Sequence, residues 1–194
     1  MKFLKILPFL WLFLQPLNGS EIQYVKEQFQ QKIDTVVAIV SDTALTKEER
    51  NSQIVAVLEP IFDFELMAKL SLGKRWNLLL REDQNRFVTL YVNRMKNSYS
   101  SKLDSYSGEK IEITTIEQPK NNRIVLQSNL VSQETTLRVD YMFHKPPKPI
   151  KQKLRWVIYD VMIQGVSILK TDRAQFSEYL RQNSIEQLMT LLEK

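Results

Sequence analysis

The sequence predicts an α+β fold, a twisted antiparallel sheet of about four consecutive strands framed by N-terminal and C-terminal helices. Two observations carry that prediction. Apolar residues recur at helical spacing up to about residue 105 and again from residue 173, and the period falls to two in between. The strand-like segments are joined by short polar links, Asn121-Asn122 and Ser132-Gln133-Glu134, so sequence neighbours should pair as antiparallel neighbours. The chain has 194 residues, 43% hydrophobic and 25% charged, which is the balance of a globular chain and excludes disordered and collagen-like readings.

The first element is an address. Met1 to Ser20 reads as a secretory signal: Lys2 and Lys5 precede the apolar stretch Phe3 to Leu14, Pro16 breaks it, and Gly19 and Ser20 offer small residues for cleavage. The run is shorter than the roughly 20 residues of a membrane span. The expected organisation is a signal peptide, 1–20, and a single domain, 21–194. Losing Lys2 and Lys5 takes the formal charge from +5 to +3, too small an excess to argue for nucleic acid.

Glu21 to Val40 is amphipathic through Ile22, Val25, Phe29, Ile33, Val36, Val37 and Val40. Thr46 and Glu49 have the spacing of a capping box, opening a helix that should end near Pro60. Asp63 fits the N-cap of a third helix, with Phe62 and Met67 as its hydrophobic staple and Gly73 as its left-handed stop. The longest helix runs from about Asp83 to Ser105. Its Phe87, Tyr91, Met95, Tyr99 and Leu103 step by four, overshooting by about 40° each time, so the row winds, and the helix should either bend or touch more than one apolar surface.

Four strands follow. Glu109 to Gln118 alternates around Ile111, Ile113 and Ile116, and Arg123 to Val131 is rich in branched residues. Thr135 to His144 sets Leu137, Val139, Tyr141 and Phe143 against a more polar face. Lys153 to Gln164 puts Leu154, Trp156 and Ile158 on one face and Val157, Tyr159, Val161 and Ile163 on the other. Arg173 to Gln182 and a second capping box at Ser184 and Gln187 begin the closing helices.

Chemistry is sparse. The chain has no cysteine, four glycines and one histidine, which excludes thiolate sites, a disulfide framework and a glycine-rich phosphate cradle. His144 beside Lys145-Pro146-Pro147-Lys148-Pro149 reads as a solvated hairpin-tip residue. Gly165-Val166-Ser167 is half of a nucleophile elbow, but Leu169 replaces the needed glycine, and Ser167 reads as a helix cap. Asp63 and Glu65 could pair as carboxylates, Asp63 fitting a cap better, and Asp160 reads as a structural acceptor. Neither metal-ligand spacing nor a catalytic constellation is present, so no enzyme, metal or cofactor is expected. What remains is large apolar side chain: Phe 9, Tyr 7, Met 6 and Trp 3. It belongs either to an ordinary core or to an apolar cavity between sheet and helices.

The order of residues then resembles a known family. Phe62-Asp63-Phe64, Met67-Ala68, Leu72-Gly73 and Trp76 are followed by Phe87, Tyr91, Tyr99, Leu103 and Tyr106. Trp156-Val157-Ile158-Tyr159-Asp160-Val161, Gly165-Val166-Ser167, Arg173 and Gln175-Phe176 complete the pattern. Together they resemble the MlaC family of periplasmic phospholipid-binding proteins, also called toluene-tolerance proteins. The resemblance implies an MlaC-like, NTF2/cystatin-like fold with an apolar cavity. It implies a periplasmic phospholipid carrier working between an outer-membrane lipoprotein complex and an inner-membrane ABC-transporter complex with its substrate-binding ring. It implies neither catalysis nor cofactor. A chaperone-like periplasmic binder of lipoprotein or hydrophobic peptide is the alternative. The residues expected to line the lipid site are Phe64, Met67, Leu70, Trp76, Phe87, Tyr91, Met95, Tyr99, Val139, Tyr141, Trp156, Ile158, Val161 and Ile163. Lys145, Lys148 and Lys151 (with Lys153 beside them) are candidates for meeting anionic headgroups or an acidic docking partner.

Overall fold

The computed structural model describes residues 18–103, 109–150 and 153–193. Short-range hydrogen bonds set the helix boundaries. α1 (Asn18–Ser41) buries Val25, Phe29 and Ile33 along one stripe. α2 (Lys47–Leu58) begins where the Thr46 hydroxyl accepts the Glu49 amide at 3.2 Å and the Glu49 carboxylate accepts the Thr46 amide at 2.9 Å. Pro60 lies in the 3₁₀ turn Glu59–Ile61 that ends it. α3 (Phe64–Leu72) is capped by Asp63, whose Oδ1 accepts the Leu66 amide at 3.0 Å. Gly73, at φ 59°, stops it, and a side chain there would press on the Arg173 guanidinium.

α4 (Arg81–Leu103) packs on α2, α3 and the final helix, and Phe87, Tyr91 and Met95 of its winding apolar row are buried. After the strands, α5 (Ile168–Tyr179) is capped by Ser167, and α6 (Ile185–Leu192) carries the second capping box. Phe87 and Tyr91 of α4 meet Phe176 of α5 edge-on, with centroids 5.9 and 6.4 Å apart.

β1 (Lys110–Lys120), β2 (Arg123–Val131), β3 (Thr136–His144) and β4 (Val157–Ile163) form an antiparallel sheet in chain order. A fifth strand of two residues, β5 (Val166–Ser167), goes beyond the four that the pattern predicts. It folds back on β4 through Gln164 and Gly165, both at positive φ, as a two-residue hairpin turn demands.

Two bulges correct the expected side-chain faces. On β1, Thr114 has no partner on β2, so Ile113 and Ile116 stay on one face. On β4, Tyr159 is the extra residue, and Ile158 pairs with Phe143 while Val161 pairs with Tyr141. Ile158 therefore joins Val161 and Ile163, where plain alternation separates them. One face of the sheet now carries the aligned apolar residues of all four long strands. α1 lies against it, its Phe29 ring 4.5 Å from Tyr141 and 6.2 Å from Phe143.

Carboxylates fasten the remaining joints. Asp160 on β4 accepts the Ser167 hydroxyl at 2.6 Å and the Leu169 amide at 3.1 Å, fixing the entry to α5. Asp172 on α5 accepts the Tyr91 hydroxyl and the Arg94 guanidinium of α4, both at 2.8 Å. An amide has one acceptor oxygen, so Asp160→Asn leaves one of its two donors unserved. We expect a loss of about 1–3 kcal/mol, read as a lower urea midpoint at unchanged slope. A midpoint equal to wild type would contradict this role.

Candidate functional site: an apolar cavity between α1 and the sheet

A cavity of about 410 Å³ opens between α1 and the bulge-aligned face of the sheet. That lies within the roughly 300–1,000 Å³ of ligand pockets and far exceeds ordinary packing voids. One wall is α1, through Phe29, Lys32, Ile33, Val36, Val37 and Val40. These follow the three- and four-residue steps of one helix face. Leu58, Ile61 and Phe62 close one side, and Ile168 at the start of α5 another. The sheet supplies Ile111, Leu130, Leu137, Val139, Tyr141, Ile158, Val161 and Ile163, with Ser128 among them and Glu109 just before β1. Phe29, Ile61, Phe62, Ile158 and Val161 are buried, whereas Val36, Val40, Leu130 and Leu137 are half-exposed, so the cavity grades from a dry floor to a wet rim.

Of the residues expected at a lipid site, Val139, Tyr141, Ile158, Val161 and Ile163 meet in this cavity. Phe64, Met67, Trp76, Phe87, Tyr91 and Met95 are buried among the helices instead, outside the cavity lining. Phe64 stacks on Phe62 at 5.2 Å and borders a separate space of about 40 Å³. Leu70 is half-buried on α3. Trp156 is buried just before β4, its Nε1 donating to Glu21 at 2.7 Å. Tyr99 lies on α4, but its side chain falls outside the described set, as do Tyr106 and Lys151 altogether. The α1 wall is absent from the predicted set. Its signal was present, since the apolar stripe runs on through Val36, Val37 and Val40, beyond the part of the helix that is buried.

Few lining groups can do chemistry. Among the described lining residues, polar side-chain groups are those of Lys32, Glu109, Ser128 and Tyr141. Burial pushes the Tyr141 hydroxyl up to about 12, against the opposing influence of the Ser128 hydroxyl. Ser128 itself donates to the Val139 carbonyl at 3.3 Å. Among the described residues, no cluster of His, Asp and Glu could hold a metal ion.

His144 corrects the hairpin-tip reading. It is the last residue of β3, only 6% exposed, with Nε2 at 2.8 Å from Asp63 Oδ2 and its ring edge-on to Tyr159. Phe62, which lines the cavity, makes an isolated parallel bridge to Ile158, and its neighbour Asp63 lies outside the lining. The Asp63 amide donates to the Ile158 carbonyl at 2.8 Å. One aspartate thus joins α3, β3 and β4. Burial works to raise the Asp63 carboxyl, but the His144 and Leu66 hydrogen bonds and the charges of His144 and Lys153 outweigh it and hold it below the usual carboxylate range.

The basic loop is partly tied down. Lys145 donates to Glu21 at 2.9 Å, and Arg155 binds the same carboxylate at 3.0 Å. Lys153 donates to the Glu59 carbonyl and sits over the Phe64 ring. Lys148 is exposed.

A sheet with one apolar face, a helix against it and an apolar cavity between them is the arrangement of a pocket for an apolar small molecule. The chain matches the family model described as "MlaC protein" over residues 30–194, and it belongs to the MlaC family. It is similar to the intermembrane phospholipid transport system binding protein MlaC of Haemophilus influenzae, 23% identical over 138 residues. That match covers 71% of this chain and 64% of the relative, so it spans less than two thirds of the relative's length. In three dimensions it is similar to the phospholipid-binding protein from Ralstonia solanacearum, solved in complex with a phospholipid. The TM-score is 0.73 at 19% identity, over 86% of this chain and 93% of that one, a likeness of fold. The α+β architecture and the family resemblance read from the motifs therefore stand.

The Asp63 junction has a pH signature. A carboxyl held low stabilises the fold fully above its unfolded pKa, about 4, and loses that contribution as pH falls through its lower folded value. Asp63→Asn should lower stability at pH 7, and the gap to wild type should shrink progressively below about pH 4. Urea midpoints at pH 7, 4 and 3 check this; a gap constant with pH would contradict it.

Proposed function

We propose that the protein is a phospholipid carrier of the periplasm, exported by its first twenty residues, which shuttles lipid between an outer-membrane lipoprotein complex and an inner-membrane ABC-transporter complex with its substrate-binding ring. The observation that carries this reading is the apolar cavity of about 410 Å³ between α1 and the sheet. Family membership and a similar fold that is known to hold a phospholipid support it.

The physics asks for such a device and for nothing more. A lipid leaving a bilayer exposes its chains to water at about 0.8 kcal/mol per methylene, so two chains of about 15 carbons face an upper figure of about 25 kcal/mol. Free passage across water is then negligible. A carrier must offer a sleeve of comparable apolarity, with the headgroup left near solvent. It needs no nucleophile, general base or metal. Val139, Tyr141, Ile158, Val161 and Ile163 of the sheet and the α1 wall would hold the chains. Among the described residues no helix is long and apolar enough to cross a membrane.

Delivery requires docking. Lys148 and Lys151, beside the Glu21-bound Lys145, would meet anionic headgroups or an acidic partner surface.

Filling the cavity tests the carrier reading. Val139→Trp and Val161→Trp should cut phospholipid taken up from vesicles by several-fold while circular dichroism stays native. Wild-type loading in both folded variants would overturn it. Replacing Lys145, Lys148 and Lys151 together by Ser should slow lipid transfer between vesicles and weaken its dependence on salt. Unchanged transfer would remove the loop from the docking surface.

A further inference from the structure

The cavity carries two formal charges among its described lining residues, Lys32 on the α1 wall and Glu109 at the start of the β1 wall. We propose that they form a headgroup-selecting rim, with the Lys32 ammonium receiving the lipid phosphate and the Glu109 carboxylate receiving a headgroup amine. The favoured cargo is then a zwitterionic phospholipid, one that bears a phosphate and an ammonium together. This rests on the carrier reading and deepens it by naming the class of lipid.

Position is the first support. Both residues are half-buried, whereas Phe29, Ile61, Ile158 and Val161 beneath them are buried and apolar. Chains drawn to that floor leave the polar head level with the two charges. The state of Lys32 is the second. Several half-buried cations are matched by carboxylates: Arg94 with Asp172, Lys96 with Glu59, Lys145 with Glu21. Lys32 has neither a hydrogen bond nor an ion pair to any described residue, though it edges an apolar cavity. A half-buried ammonium in such a place gains from an anion delivered by the ligand. Glu109 has contacts of its own, and the rim uses only its sign. A head with a phosphate and no amine would satisfy Lys32 while standing against the Glu109 charge. A zwitterion satisfies both.

The test uses the whole protein and vesicles of equal parts phosphatidylethanolamine and phosphatidylglycerol, with bound lipid counted by native mass spectrometry. The wild type should carry the ethanolamine lipid in excess. Lys32→Gln should lower total bound lipid about fivefold, the scale of one partly exposed charge-assisted contact. Glu109→Gln should keep the total and move the ratio toward that of the vesicles. Lys26→Gln, on the exposed side of α1, should behave as wild type. Thermal melting confirms that each variant is folded. A loaded wild type whose Lys32 and Glu109 variants match it in total and ratio overturns the rim alone. A wild type that takes up neither lipid overturns the carrier reading and the rim with it.

Discussion

A sheet can present a continuous apolar wall only if its strands turn their side chains in step. Side chains alternate with period two, so one residue too many sends every later side chain to the opposite face. Here the apolar residues of β1 and β4 do not alternate in step, and the bulges at Thr114 and Tyr159 absorb the difference. Each bulge restores phase and adds twist. Without Tyr159 as the extra residue, Ile158 would face away from Val161 and Ile163, and the cavity would lose part of its floor. The one-sided apolar wall and the seat of α1 against it both depend on that phase.

A cavity of this size needs a frame that sets the distance between its walls. In this molecule the frame is fastened by carboxylates placed outside the cavity. Asp63 joins α3 to β3 and β4, Asp160 joins β4 to α5, and Asp172 joins α5 to α4. Glu21 pins the beginning of α1 to Lys145, Arg155 and Trp156. Each is matched by donors, as a buried carboxylate must be to avoid a large desolvation penalty. The division is physical: strong directional bonds set the distance between layers, and the space between them keeps an apolar lining. α1 is anchored at its first turn while its later turns, from Val36 to Val40, border the half-exposed rim.

Much of the fold was legible in the residues. The capping boxes at Thr46 and Ser184, the Asp63 and Ser167 caps and the Gly73 stop are local chemistry, and they occur where local chemistry puts them. The strand pairing followed from short polar links. The faces of β4 were not legible, because a bulge is decided by the neighbouring strand and leaves no mark in the alternation itself. His144 was misread for a similar reason: five prolines and lysines after it suggest a solvated tip, and only the fold brings Asp63 to it. The cavity lining was legible for the sheet and not for α1. Periodicity says which side of a helix is apolar; it is silent on whether that side meets a packed core or a space. Large aromatics such as Phe87, Tyr91 and Trp76 drew the prediction toward the helical core, while the cavity is walled mostly by valine, leucine and isoleucine.

The most direct measurement is native mass spectrometry of the protein purified from cells without detergent, with organic extraction of whatever accompanies it. We expect a chain carrying a diacyl phospholipid, near one per molecule, released by solvent and identified by its headgroup and chains. A chain that arrives bare, and stays bare after incubation with phospholipid vesicles, would contradict the claim that the space between α1 and the sheet exists to hold lipid.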